Sequence, residues 1–71
     1  MHDHPSQAQL DLLLHAGIFG LCRIPAGAID DIGSLRDAGL VELDDDGCFH
    51  LTPQGERRVL AEGGTVKPRL H

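Results

Sequence analysis

Apolar residues recur along the chain in short bursts whose spacing changes from helical to extended and back. Leu10, Leu13, Leu14 and Gly17 follow the i, i+3, i+4, i+7 spacing of one helical face, and Leu12 and Ala16 widen it. Ser6 precedes this face as an N-cap, and Gln9 three residues later completes a capping-box pattern. Gly17 and Gly20 are the expected stops. Leu21-Cys22-Arg23-Ile24 reads as a short strand, closed by Pro25, which suits the first turn of a following helix. From Ala26 to Ala38, Ile29, Ile32, Leu35 and Ala38 recur every third residue, predicting a helical face. Gly33-Ser34 leaves open whether residues 26–38 form one helix or two.

Two extended runs then flank an acidic turn. Leu40-Val41-Glu42-Leu43 and Cys48-Phe49-His50-Leu51 surround Asp44-Asp45-Asp46-Gly47, a hairpin pattern with Asp-Gly at its tip. Thr52-Pro53 predicts the start of a last helix, with Thr52 as N-cap and Pro53 in the first helical position. Glu56 favours its dipole, Val59 and Leu60 supply its buried face, and Gly63-Gly64 stops it. The expected core is Leu10, Leu13, Leu14, Ile29, Ile32, Leu35, Leu40, Val41, Phe49, Leu51, Val59 and Leu60. The expected organisation is a flexible leader over residues 1–5, one domain over 6–63 and a flexible tail over 64–71.

The order helix, short strand, helical stretch, hairpin, helix brings a family into view. Ser34-Leu35-Arg36-Asp37-Ala38-Gly39-Leu40-Val41-Glu42-Leu43 resembles the end of the recognition helix and the first wing strand of winged helix-turn-helix proteins. Asp46-Gly47 stands at the wing tip, and Phe49 to Gly55 is similar to their second wing strand, followed by Leu-Thr-x-x-Gly and a helix. The resemblance covers about residues 34–62, and its joint features are more specific than any one of them. It implies an α+β fold, a small winged helix-like domain of helices plus a two-stranded wing hairpin, with Leu21 to Ile24 as a third short strand. A helix-turn-helix needs two helices and a turn before the wing. Only Leu21 to Ala38 is available here, which implies a reduced first half.

Charge changes what the resemblance implies. Six Lys and Arg stand against 11 Asp and Glu, a net charge of −5 over 71 residues. In winged helix proteins that bind DNA, the recognition helix and wing present cations and polar groups to the duplex. Here the corresponding positions carry Asp30, Asp31, Asp37, Glu42, Asp44, Asp45 and Asp46, with Arg36 as the one helical cation and no Lys or Arg in the wing. Carboxylates facing phosphate repel it and release no counterions. The expectation is therefore a non-enzymatic protein-interaction module, an acidic regulator or inhibitor that docks these seven residues on a partner's basic surface. A bacteriophage inhibitor, such as an anti-CRISPR protein or a DNA mimic, is one concrete form. The alternative is a small dimeric DNA-binding transcriptional regulator, with Arg23, Arg36, Arg57 and Arg58 as nucleic-acid contacts, Lys67 and Arg69 lying nearby in sequence.

Size and the remaining chemistry narrow the field. Below roughly 70–80 residues a single core supplies about 3–5 kcal/mol at most, so a homodimer that buries Ile18, Phe19 or Leu21 is a reasonable expectation. No run of 18 apolar residues marks a membrane span, and the first residues lack a signal-peptide pattern, so the cytoplasm is the expected compartment. Cys22 and Cys48 are expected as free thiols acting as small apolar residues. His2 with His4, and Cys48 with His50, joined by Cys22, fall short of the about four converging ligands that zinc takes. Neither Cys48 with His50 nor Cys48 with His15 has a third orienting group for nucleophilic catalysis. Asp44 to Asp46 lack calcium-loop spacing and read as a solvated turn. No cofactor and no metal is expected.

Overall fold

A computed structural model of the chain describes residues 5–67. The elements are α1 (Gln7–Phe19), β1 (Cys22–Arg23), α2 (Ile29–Asp37), β2 (Val41–Leu43), β3 (Cys48–Leu51) and α3 (Pro53–Ala61). This is an α+β fold, three helices with a three-stranded antiparallel sheet in the order β1-β3-β2. It is compatible with a helices-plus-hairpin, winged-helix-like arrangement. The expectations about His2, His4 and Arg69 lie outside the described residues, as do the first four positions of the leader and the last four of the tail.

Local chemistry sets most boundaries. Ser6 Oγ accepts from the Gln9 N–H at 3.2 Å and Gln9 Oε1 accepts from the Ser6 N–H at 3.2 Å, forming both halves of the capping box. The helix runs through Gly17 and stops at Gly20, whose N–H donates to Ala16 O at 2.8 Å. Pro25 does not start α2. Its carbonyl accepts from the Ala28 N–H at 3.1 Å, so residues 25–28 form a turn and the helix begins at Ile29. Ala28 offers no side-chain cap, and Asp30 and Asp31 in the first turn complement the exposed N–H groups instead. Gly33 is carried inside a single helix.

The sheet register explains the alternation along β3. Phe49 pairs with Cys22 on one side and Leu43 on the other, while His50 lies opposite Glu42 and Leu51 opposite Val41. Phe49 and Leu51 are buried, and Cys48 and His50, which alternate with them, are half-buried. In the wing, Asp44 Oδ1 accepts from the N–H groups of Asp46 at 2.9 Å and Cys48 at 3.0 Å. Gly47 closes the turn at φ +79°, a conformation that glycine adopts at no steric cost.

The core comprises Leu13, Ala16, Cys22, Ile32, Leu35, Val41, Phe49, Leu51 and Val59, with Leu10, Leu12, Leu14, Leu40 and Val66 packed around it. Two expected core residues are solvent-facing: Ile29 is 62% exposed and Leu60 59%. The cause at Ile29 is the helical period. A three-residue spacing falls short of the 3.6-residue turn and drifts about 60° per step. Ile29 therefore points well away from Leu35, and half-buried Ala28, four residues before Ile32, takes the inward place. In α3 the inward pair is Gly55 and Val59, an i, i+4 relation that leaves Leu60 a step round the helix.

Residues 64–67 depart from the expected tail. The Gly64 N–H donates to Val59 O at 2.8 Å and the Lys67 N–H to Gly17 O at 2.6 Å, laying this segment along α1. Among the described residues no helix is long and apolar enough to cross a membrane.

Candidate functional site

The acidic residues expected to form one surface fall into two sets. Three are engaged by neighbours. Asp31 Oδ1 accepts from Gln9 Nε2 at 3.2 Å and ties α2 to α1. Glu42 Oε1 meets His50 Nε2 at 3.1 Å across the β2–β3 pair. Asp44 holds the wing turn through its two backbone bonds. Asp37 lies 3.6 Å from Arg36, an exposed pair of neighbouring residues. Asp30, Asp45 and Asp46 are exposed and make no side-chain hydrogen bond or ion pair among the described residues.

These free carboxylates stand on two elements, the wing tip and the first turn of α2. The Ile24 N–H donates to Gly47 O at 3.2 Å, so the chain leaving β1 passes against the wing tip before it turns into α2. Asp30 follows six residues after that contact, beyond the 25–28 turn, and Asp45 and Asp46 stand at the wing tip itself. Asp37 stands at the other end of α2, before the return through Leu40 into β2. On α2 the residues turned from the core are Asp30, Ser34 and Asp37, at i, i+4 and i+7. No Lys or Arg lies between Val41 and Leu51.

The cations do not form a matching set. Arg58 Nε donates to Glu62 Oε2 at 3.2 Å, one turn along α3. Arg57 and Arg58 flank a shallow hollow of about 350 Å³ with Ala38, Leu40 and Gln54. Arg36 sits beside Asp37. Arg23 stands on β1, the sheet edge opposite β2.

Both thiols are free. Cys22 is a core residue, and Cys48 lies one register step away on the half-buried side of β3, so their side chains leave the sheet on opposite faces. Burial pushes the Cys22 thiol above its usual range, and the charge of a nearby Cys48 thiolate adds in the same direction. Among the described residues no three His, Cys, Asp or Glu side chains gather as a metal site.

Two grooves were not legible as sites. One, of about 330 Å³, runs between the end of α1, β3 and residues 64–67, with His50, Glu56 and Lys67 around Leu51 and Val66. The other, of about 440 Å³, lies between α1 and the 25–28 turn. Its available sequence signal was a second helical stripe on α1, Ala8, Leu12, His15 and Phe19, opposite the stripe that fills the core. The chain matches no family model, no curated protein and no solved structure.

Proposed function

We propose that this chain is a non-enzymatic, winged-helix-like interaction module, a regulator or inhibitor that docks an acidic surface on a basic surface of another protein. The observation that carries this reading is the uncommitted charge on the wing tip and the first turn of α2. Asp30, Asp45 and Asp46 are exposed, and no cation stands in the wing to neutralise them. Such a surface speeds and orients encounter with a positive partner. It repels a phosphate backbone, whose binding requires neutralising cations.

The reading narrows the contact set to Asp30, Asp45 and Asp46, with Asp37 at the margin, because Asp31, Glu42 and Asp44 are engaged within the fold. The decisive experiment pairs a salt titration against random duplex DNA with affinity capture from host extract. The control is the triple variant Asp30→Asn, Asp45→Asn, Asp46→Asn. A basic protein retained by the native chain and lost by the variant is the expected result. Duplex binding that weakens steeply with salt would overturn the proposal in favour of a DNA-binding regulator.

A further inference from the structure

The helix α1 carries a second stripe opposite the one that fills the core, and the fold covers it only at Leu12. Leu10, Leu13, Leu14 and Gly17 face inward. At about 100° per residue, Ala8, Leu12, His15 and Phe19 share the other side, and Ile18 lies on its flank, next to Leu14. Large apolar side chains on such a stripe are ordinarily covered. Here Ile18 is 54% exposed and Phe19 58%, and Leu21 just beyond them is 58% exposed. The His15 ring lies 4.6 Å from the Phe19 ring and continues the stripe.

The two ends of this outward face differ in shape. Its C-terminal end carries the projecting side chains Ile18 and Phe19. Its N-terminal half borders the groove of about 440 Å³, whose apolar walls include Ala8, Leu12, Pro25, Ala26 and Ala28. A projection at one end and a recess at the other fit a second copy of the same surface turned end for end. We propose that this chain forms a homodimer in which two α1 helices pack antiparallel about a twofold axis beside His15. Each Phe19 then lies across from the partner's Asp11 and the partner's Leu12 and enters the groove beside them. Contacts of this kind are reciprocal, as a closed two-fold pair requires.

Charge favours this occupant, and area requires that the groove take part. With a large side chain offering roughly 150–250 Å², the exposed parts of Ile18, Phe19 and Leu21 amount to on the order of 300 Å². A stable interface needs about 800 Å² per partner, so these three cannot suffice and the groove must take part. The antiparallel arrangement engages both along the about 20 Å length of the helix. From Ala16 to Cys22 the chain carries no charge, and the groove sets Arg23 and His15 beside Asp11 and Asp31. Two copies of a chain with net charge −5 repel in general, and this face avoids most of that repulsion.

The test is sedimentation equilibrium of the full chain from about 1 to about 500 µM, a range that brackets a micromolar dimer. Twice the 7.6 kDa chain mass is the expected limit. Phe19→Asp and Ala8→Arg lie at opposite ends of the face, both at exposed positions, so circular dichroism should show native helix content in each. Each should raise the dimer dissociation constant at least about tenfold. A monomer throughout the range would overturn the proposal. So would a dimer indifferent to Phe19→Asp, or one lost with Phe19→Asp and unaffected by Ala8→Arg, since antiparallel pairing engages both ends at once. Should Phe19→Asp fail to fold, Ala8→Arg alone decides the outcome.

Discussion

The Thr52 hydroxyl donates to the Gly39 carbonyl at 2.5 Å, joining the turn after α2 to the start of α3. The same oxygen accepts from the Gly55 N–H at 3.1 Å as the N-cap, and the Thr52 N–H donates to Leu40 O at 3.1 Å. One residue thus clamps the entry to the wing against its exit. Thr52→Val removes both side-chain bonds and should cost about 1–2 kcal/mol of unfolding free energy. Thr52→Ser keeps the oxygen and should lose less than half as much. Urea unfolding of the two variants checks this, and equal losses would show that the clamp is not the cause.

Gly55 belongs to the same junction. A Cβ at this position would overlap the Leu40 carbonyl, which sits over the first turn of α3. Gly55→Ala should destabilise by about 1–3 kcal/mol, despite alanine's better helix propensity, because backbone must move. A gain in melting temperature would refute the close approach. The Gly-Leu-Val and Leu-Thr-x-x-Gly segments therefore meet in space at Gly39, Leu40, Thr52 and Gly55, which gives the joint pattern a physical cause within this chain.

The wing carboxylates should separate in function. Asp44→Ala loses two hydrogen bonds to backbone N–H groups and should cost about 1–2 kcal/mol. Asp45→Ala and Asp46→Ala touch only solvent and should stay within about 0.5 kcal/mol of the parent. If docking uses the wing, the last two should weaken partner capture at unchanged stability, read by binding and thermal melting in parallel. Comparable destabilisation by all three would show that the turn depends on total charge instead.

What the sequence disclosed followed the range of the interaction. Ser6 with Gln9, Thr52 with Pro53, and the Asp44–Gly47 turn are settled within a few residues, and their elements were legible. The acidic composition of α2 and the wing was equally plain. Which carboxylates remain free was not, because Asp31 meets Gln9 from another helix and Glu42 meets His50 across a strand pair. Ile29 faces solvent although it repeats every third residue with Ile32 and Leu35, because that spacing is close to the helical period without matching it. The outward stripe of α1 adds nothing to the prediction of a helix, which one apolar stripe already makes, and only the packed fold shows which stripe remains exposed.

Alkaline stability should depend on Cys22. Its thiol is held above the usual range in the folded chain, so the unfolded chain loses that proton first as pH rises. Between the two values the folded state binds more protons, and stability falls with increasing pH. The contribution is intact below the unfolded thiol range, about pH 8.5, and is lost as pH rises from there through the folded value. Cys22→Ala should flatten this alkaline decline in urea midpoints measured at neutral and alkaline pH, although its baseline drops for lost packing. An unchanged slope would assign the decline to other groups. With the parent protein at mildly alkaline pH, half-buried Cys48 should react with a thiol reagent before Cys22.

Residues 64–67 should act as part of the domain. Val66 packs against the core, the Lys67 N–H closes on the Gly17 carbonyl, and Gly17 lacks the Cβ that would strike the Thr65 carbonyl. Ending the chain after Gly63 removes that apolar cover and the hydrogen bond, for an expected loss of about 1–3 kcal/mol. Gly17→Ala should reproduce part of that loss at full length, because the added methyl displaces the segment while favouring the helix. Gly17→Ala should also increase hydrogen exchange at the amides of Gly64 and Lys67, which bond to Val59 and Gly17; in the truncated chain, which lacks both, the readable probe is the Val59 amide in α3. If truncation leaves the urea midpoint unchanged, the segment lies along α1 without stabilising it, and the effect of Gly17→Ala would then have to arise within α1 itself.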